Sequence, residues 1–135
     1  MTLFAKLRKL KILLIDDDEW IRDSMRVLLA SEACRLVACE TAEEALDTLD
    51  RQAFDIIIAD YKLPGMNGIR FFENIRSSHP AAIKILISAY LDRSVAAAAL
   101  GAGVHEMVEK PFNAETFETA LSRQLANQEP DSVRS

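Results

Sequence analysis

Five short apolar runs, separated by segments with helical spacing, predict an α/β fold: a doubly wound five-stranded parallel sheet with helices on both faces. Three observations carry this. The chain has 135 residues, the length of one domain. Three of the runs are almost purely aliphatic, as strands covered on both faces require. Run and helical segment alternate five times in about 115 residues, the spacing of βαβ units with right-handed crossovers.

The elements follow in order. Residues 1–9 form an N-terminal extension in which Leu3, Phe4, Leu7 and the adjoining Leu10 alternate with Lys6, Arg8 and Lys9. That stripe covers only about two helical turns, so it reads as a loosely held leader rather than a membrane-surface helix. The domain proper spans 10–127. Its first strand is Lys11–Ile15, and Ile21, Met25, Leu28 and Leu29 make the next helical stripe. Cys34–Cys39 is more polar and reads as an edge strand. Thr41-Ala-Glu-Glu44 has the form of a capping box opening a helix on Ala42, Ala45, Leu46 and Leu49. Phe54–Ala59 is the next buried strand, and Asn67 caps a helix beginning at Gly68. Ile83–Ile87 is the fourth strand; an Ala-rich helix over 94–100 is closed by Gly101. Val104–Glu109 reads as the second edge. Phe117, Leu121 and Leu125 mark the last helix, and 128–135 has the composition of a flexible tail.

Sixteen basic against twenty-one acidic residues argue against a broad nucleic-acid-binding face. No apolar run approaches the roughly 18 residues of a membrane span, and the leader's cations interrupt any signal-peptide core. A cytoplasmic location is expected. Cys34 and Cys39 form neither a disulfide framework nor a zinc site, and their spacing along a strand points them to opposite faces. His79 and His105 lack partner acids at ligand spacing and read as surface or satisfied residues. Trp20 reads as helix-start packing.

The chemistry gathers after the strands. Asp16-Asp17-Asp18-Glu19 follows the first, Asp60 the third, Ser88-Ala89 the fourth and Lys110-Pro111 the fifth. In a parallel sheet these ends share the edge where ligands bind, so Asp16, Asp17, Asp60, Ser88 and Lys110 should converge. Three carboxylates in one crevice repel unless a cation lies among them, and carboxylate-plus-water sites suit Mg²⁺. A lysine and a hydroxyl opposite the metal are what a transferred phosphoryl group needs. An aspartate can itself be the nucleophile and hold an acyl phosphate. Taken singly each residue has a plainer reading: a helix cap for Asp18-Glu19, an Asx turn for Asp60, a surface lysine for Lys110, a satisfied strand-end hydroxyl for Ser88. Those readings leave the coincidence unexplained.

Across residues 10–127, ILLIDDDE, FDIIIADYKLPGMNG, ILISA and VEKPF together resemble the receiver domain of two-component response regulators. The resemblance implies a flavodoxin-like fold with strand order 2-1-3-4-5. It implies Asp60 as phosphoacceptor, and Mg²⁺ held by Asp16, Asp17, Asp60 and the backbone carbonyl of Lys62. Ser88, with Ala89, would be the switch and phosphate-binding segment, Lys110 the phosphate-pairing lysine, and Lys110-Pro111 a cis bond. The implied partners are a sensor histidine kinase or histidine phosphotransfer protein as donor, and a downstream protein on the face of the fourth helix, fifth strand and fifth helix. A second copy of the chain is a further candidate partner.

One position departs from the family: Met107 stands where many receivers carry an aromatic switch residue, which puts hydroxyl-to-aromatic coupling in question. Lys62 and Tyr90 flank the site, two residues after Asp60 and Ser88, at positions where the resemblance implies that side chains influence the access of water. The expected function is a phosphorylation-controlled switch, with self-phosphorylation and dephosphorylation of Asp60 but no turnover enzyme activity. Only a short tail follows the last helix, which fits a stand-alone receiver or a piece excised from a longer regulator. Two other functions compete. An aspartyl-phosphate hydrolase of the haloacid-dehalogenase type would use Asp16-x-Asp18, but Glu19-Trp20 departs from its motif. A degenerate receiver serving as a docking scaffold would not need the intact acid, hydroxyl and lysine set.

Overall fold

The computed structural model describes residues 10–30 and 35–128. Within them, five strands and five helices alternate: β1 (Lys11–Ile15), α1 (Glu19–Ala30), β2 (Arg35–Cys39), α2 (Ala42–Arg51), β3 (Ile56–Asp60), α3 (Gly68–Ile75), β4 (Ile83–Ser88), α4 (Arg93–Gly101), β5 (Glu106–Glu109) and α5 (Ala114–Gln128). The strands are all parallel, in the order β2-β1-β3-β4-β5. The amphipathic leader, Cys34 and the tail from 129 lie outside the described residues.

Alternation along the strands divides the core. Leu13, Ile15, Ile57, Ala59 and Leu86 face one way and pack against Ala45, Phe71, Phe72 and Ala99 from α2, α3 and α4. Ile12, Leu14, Ile56, Ile58, Ile85 and Ile87 face the other way, against Met25 and Leu29 of α1 and Phe117 and Leu121 of α5. A central strand covered on both sides has no solvent face, which is why these runs are continuous rather than alternating. Each fully buried aliphatic or aromatic side chain contributes on the order of 2 kcal/mol by leaving water.

Side-chain caps set the helix starts. Thr41 Oγ1 accepts the Glu44 N–H, Asn67 Oδ1 the Arg70 N–H, Asp92 Oδ1 the Val95 N–H and Asn113 Oδ1 the Thr116 N–H. Several boundaries differ from the sequence reading by one or two residues, and three of these have a clear cause. β3 starts at Ile56 because Asp55 turns its carboxylate onto the Lys11 N–H, although Phe54 is still buried. β5 starts at Glu106 because the Val104 N–H is spent on Ala99 O, closing α4. The glycine that turns the chain there is Gly103, at φ 88°, while Gly101 is the last residue of the helix. Cys39 is a buried free thiol.

At the opposite end of the sheet from the acids, the imidazole of His105 extends the β4–β5 pairing. Its backbone N–H donates to Lys84 O, and its Nδ1 accepts the Lys84 N–H at 3.0 Å. The Lys84 side chain is buried and donates to His79 O. Burial, then the Lys84 charge, pulls the His105 pKa below its ordinary 6.5. The unfolded chain therefore takes up this proton first as pH falls. The stabilisation is complete above about pH 6.5 and is lost as pH drops through the lower folded value. Asn at 105 keeps an acceptor that does not titrate. The stability advantage of the parent over His105→Asn should shrink between pH 7 and 5 in parallel denaturant titrations; a pH-independent difference would refute this.

Candidate functional site

The acids of the β1–α1 turn and the end of β3 meet at the carboxyl edge of the sheet. Carboxylate oxygens of Asp16, Asp17 and Asp60 all lie within 4.8 Å of one another, and Asp17 is the exposed member. Asp16 is fully buried and Asp60 nearly so. Lys110, delivered by the β5–α5 turn, places its Nζ 3.0 Å from Asp16 Oδ2 and 3.1 Å from Asp60 Oδ2. The Lys110–Pro111 peptide bond is cis. Asp16 Oδ1 accepts the Asp18 N–H at 2.9 Å. Asp16 Oδ2 is buried and receives no aligned hydrogen bond, so its approach to Lys110 is ionic only.

The electrostatics are unbalanced. Burial first, then the neighbouring Asp16 charge, pushes the Asp60 carboxyl up to about 6, despite Lys110. Burial likewise raises Asp16, against the Asp18 N–H and Lys110. Burial alone would lower the Lys110 ammonium, but Asp16 and Asp60 outweigh it and hold it above its ordinary value. One ammonium thus faces three carboxylates, and the remaining charge matches one divalent cation. The acid set, with Asp16 Oδ2 buried and lacking an aligned hydrogen bond, fits Mg²⁺, a hard ion that takes carboxylate oxygens and keeps several waters.

The other predicted residues occupy the same edge with different engagements. Ser88 ends β4, buried, with its hydroxyl donating to Tyr90 O and accepting the Tyr90 N–H. Its backbone carbonyl takes the Lys110 N–H. Ala89 is exposed and lines a cavity of about 590 Å³ beside Lys110. Lys62 sits two residues beyond Asp60, with its Nζ 4.4 Å from the centre of the Tyr90 ring, so the pair bridges the β3–α3 and β4–α4 turns. Met107, on β5 opposite Leu86, is half-buried against the α3–α4 side of the core. Trp20 is a correction: it is 76% exposed rather than packed at the helix start, and it joins Ile21, Met25, Pro111 and Phe112 around the same cavity.

Three supporting residues escape sequence reasoning. Arg22, buried in α1, donates from Nη1 to Asp16 O at 2.8 Å. Glu43, at the start of α2, accepts the Met66 N–H with Oε2 and so holds the turn after Asp60. Gly68 is noticed in the sequence only as a helix start, yet a Cβ there would lie 2.3 Å from Asp60 O. A polar residue breaking an apolar stripe is the sole signal for Arg22; Glu43 and Gly68 give none.

Comparison with known proteins agrees with this geometry. The family described as the response regulator receiver domain matches residues 12–122. The response regulator protein FleR of Pseudomonas aeruginosa is 35% identical over 124 residues, covering 90% of this chain and 26% of that protein. The transcriptional regulator NtrC of Escherichia coli is 28% identical over 124 residues, covering 89% of this chain and 26% of that protein. The chain therefore spans about a quarter of the length of these curated relatives. Among solved structures, a CheY-like receiver domain from Methanospirillum hungatei superposes with a TM-score of 0.84 at 30% identity, covering 90% of this chain and 98% of that one. The beryllofluoride-activated DrrB receiver domain gives 0.77 at 28% identity, covering 86% and 97%. Among the described residues no helix is long and apolar enough to cross a membrane. With the acids, the lysine and the 2-1-3-4-5 sheet in place, the chain belongs to the response regulator receiver domains of two-component signalling.

Proposed function

We propose that the protein is a phosphorylation-controlled switch in which Asp60 accepts a phosphoryl group from a phosphohistidine on a sensor histidine kinase or histidine phosphotransfer protein. The observation that carries this reading is the crevice itself: three carboxylates with oxygens within 4.8 Å, offset only in part by the ammonium of Lys110. Asp16, Asp17, Asp60 and the Lys62 carbonyl would hold Mg²⁺. When bound, the ion neutralises charge and screens the approach of an anionic donor.

A carboxylate oxygen of Asp60 forms the O–P bond as the donor's P–N bond breaks, and the electron pair leaves with the imidazole nitrogen. Lys110 moves with the charge, since its ammonium already touches Asp60 Oδ2 and can pair with a phosphoryl oxygen. Ser88 would exchange its bonds to Tyr90 for one to the phosphoryl group, drawing the β4–α4 turn inward. That exchange biases a pre-existing equilibrium on the face of α4, β5 and α5, where the downstream partner or a second copy would bind. Met107 supplies no ring to couple to the hydroxyl, so the rearrangement differs in shape from one driven by an aromatic. The chain undergoes phosphorylation and dephosphorylation without acting as a turnover enzyme, and we place it in the cytoplasm.

A small acyl phosphate donor with Mg²⁺ should add one phosphoryl group per chain, read by mass. Mg²⁺ alone should raise the melting temperature, because relief of repulsion requires the assembled site. In Asp17→Ala both effects should be lost. An unchanged melting shift in that variant would place the ion elsewhere.

The Lys62–Tyr90 pair joins the turns that follow Asp60 and Ser88, and in this reading it slows hydrolysis of the acyl phosphate. Tyr90 is 56% exposed, so the contact itself is worth only about 0.5–1 kcal/mol, and the shielding would come from the bulk of the ring beside the Ser88 turn. Tyr90→Ala should shorten the acyl-phosphate half-life roughly threefold or more by admitting water. A longer half-life would sink the shielding role.

A further inference from the structure

Arg22 is a buried cation without an intimate ionic partner among the described residues. It is 8% exposed, and the one ion pair it makes among the described residues is to Glu40 Oε1, 3.6 Å from Nη2, with the Glu40 side chain 64% exposed. Burying a guanidinium is costly, and an apolar side chain of the same length would pack against the core at no such cost. Among the described residues its one direct hydrogen bond runs from Nη1 to the Asp16 carbonyl at 2.8 Å. That carbonyl stands one residue beyond β1, where the ladders to β2 and β3 have ended. Asp16 is fully buried, so the oxygen needs a donor from within the protein.

The remaining contacts of Asp16 are already assigned. Its N–H donates to Cys39 O at 3.1 Å, its Oδ1 accepts the Asp18 N–H, and its Oδ2 faces Lys110. Arg22 completes the set. Its second arm reaches Glu40, the residue after Cys39, so one guanidinium spans both chain segments that hold Asp16. We infer that Arg22 is a positioning residue for the cation site, fixing Asp16 so that its Oδ2 stays directed into the crevice beside Lys110. The inference rests on the phosphoacceptor reading above. A planar fork suits this task better than a point charge, because two points must be held together.

Calorimetric titration of the chain with MgCl₂, with melting curves run in parallel, tests it. Arg22→Met keeps the aliphatic stem and removes both donors. It should weaken Mg²⁺ binding about tenfold or more at a temperature where parent and variant are both folded, as loss of an outer-shell partner does. Arg22→Lys keeps the charge but cannot reach both points, and its Kd should fall between those of the parent and Arg22→Met. A lower melting temperature in Arg22→Met with a Kd within about twofold of the parent would mean that Arg22 only packs α1, which would overturn the inference. Should Arg22→Met fail to fold, Arg22→Lys decides: weakening by about threefold or more supports the role, and less than about twofold ends it. Failure of the parent itself to bind Mg²⁺ would overturn the phosphoacceptor reading and this assignment with it. Unchanged affinity in the variants would overturn the assignment alone.

Discussion

Asp60→Asn should abolish labelling by an acyl phosphate donor with Mg²⁺, yet leave the protein folded and, at neutral pH, more stable than the parent. The first half follows from the nucleophile: the amide nitrogen has no free electron pair to attack phosphorus, and the other two acids are poor substitutes. Asp16 is buried, with Oδ1 committed to the Asp18 N–H, and Asp17 stands at the exposed edge of the set. The second half follows from charge. Burial and the Asp16 carboxylate raise the Asp60 carboxyl from 3.8 to about 6. Holding it ionised at neutral pH then costs the fold roughly 3 kcal/mol. Below about pH 4 both folded and unfolded states carry the proton and no cost arises; it grows as pH rises through 6 and is complete above. Asparagine removes the charge with little change of shape. Denaturant titration at neutral pH should show Asp60→Asn the more stable, with the difference fading toward pH 4. Stoichiometric, base-labile phosphorylation of Asp60→Asn would overturn the assignment of the phosphoacceptor.

The parts of this molecule legible in its sequence are those set by local pattern and by topology. Ile12–Ile15 and Ile83–Ile87 announce central strands because both their faces are covered. The crevice acids were readable because a parallel sheet brings every strand's carboxyl end to one edge, and Asp16, Asp60 and Lys110 each follow or end a strand. The resemblance to receiver domains then supplied the strand order, which alternation alone leaves open. What stayed hidden depends on contacts between distant segments. Arg22 turns back onto Asp16 O rather than outward, and helical spacing cannot tell the two directions apart. Gly101 and Gly103 both sit in Gly-Ala-Gly. Which one takes the positive φ is decided by Val104 reaching back to Ala99 O. Trp20 misleads for a related reason: a large apolar residue at a helix start packs only where a neighbour covers it, and here it is left at the rim of a cavity.

Gly68→Ala should damage both stability and phosphorylation, although the position lies eight residues beyond Asp60 and carries no functional group. Gly68 is the first residue of α3, buried, with its N–H donated to Tyr61 O at 2.9 Å. A methyl group there would stand 2.3 Å from Asp60 O, 3.0 Å from Asp60 C and 3.1 Å from Leu86 Cδ1. Two of these are main-chain atoms, and Asp60 is locked into β3 beside β4, so rotamer adjustment cannot relieve the clash. Either α3 lifts or the end of β3 shifts. Overpacking of this kind costs about 1–3 kcal/mol, against a helix-propensity gain of up to about 1 for alanine over glycine. The melting temperature should fall by roughly 5–10 °C. Any shift of the Asp60 main chain also moves its carboxylate relative to Lys110 Nζ, now 3.1 Å away. Displacement of a nucleophile by about 1 Å can cost up to 10²-fold in rate, so labelling should slow by about tenfold or more. Gly101→Ala is the matched control. A Cβ at that position meets nothing within 4 Å, and alanine in the last turn of α4 should be neutral or stabilising by up to about 1 kcal/mol. Parent-like melting and labelling in Gly68→Ala would mean that the β3–α3 turn yields without moving Asp60, contrary to the tight approach seen at its carbonyl.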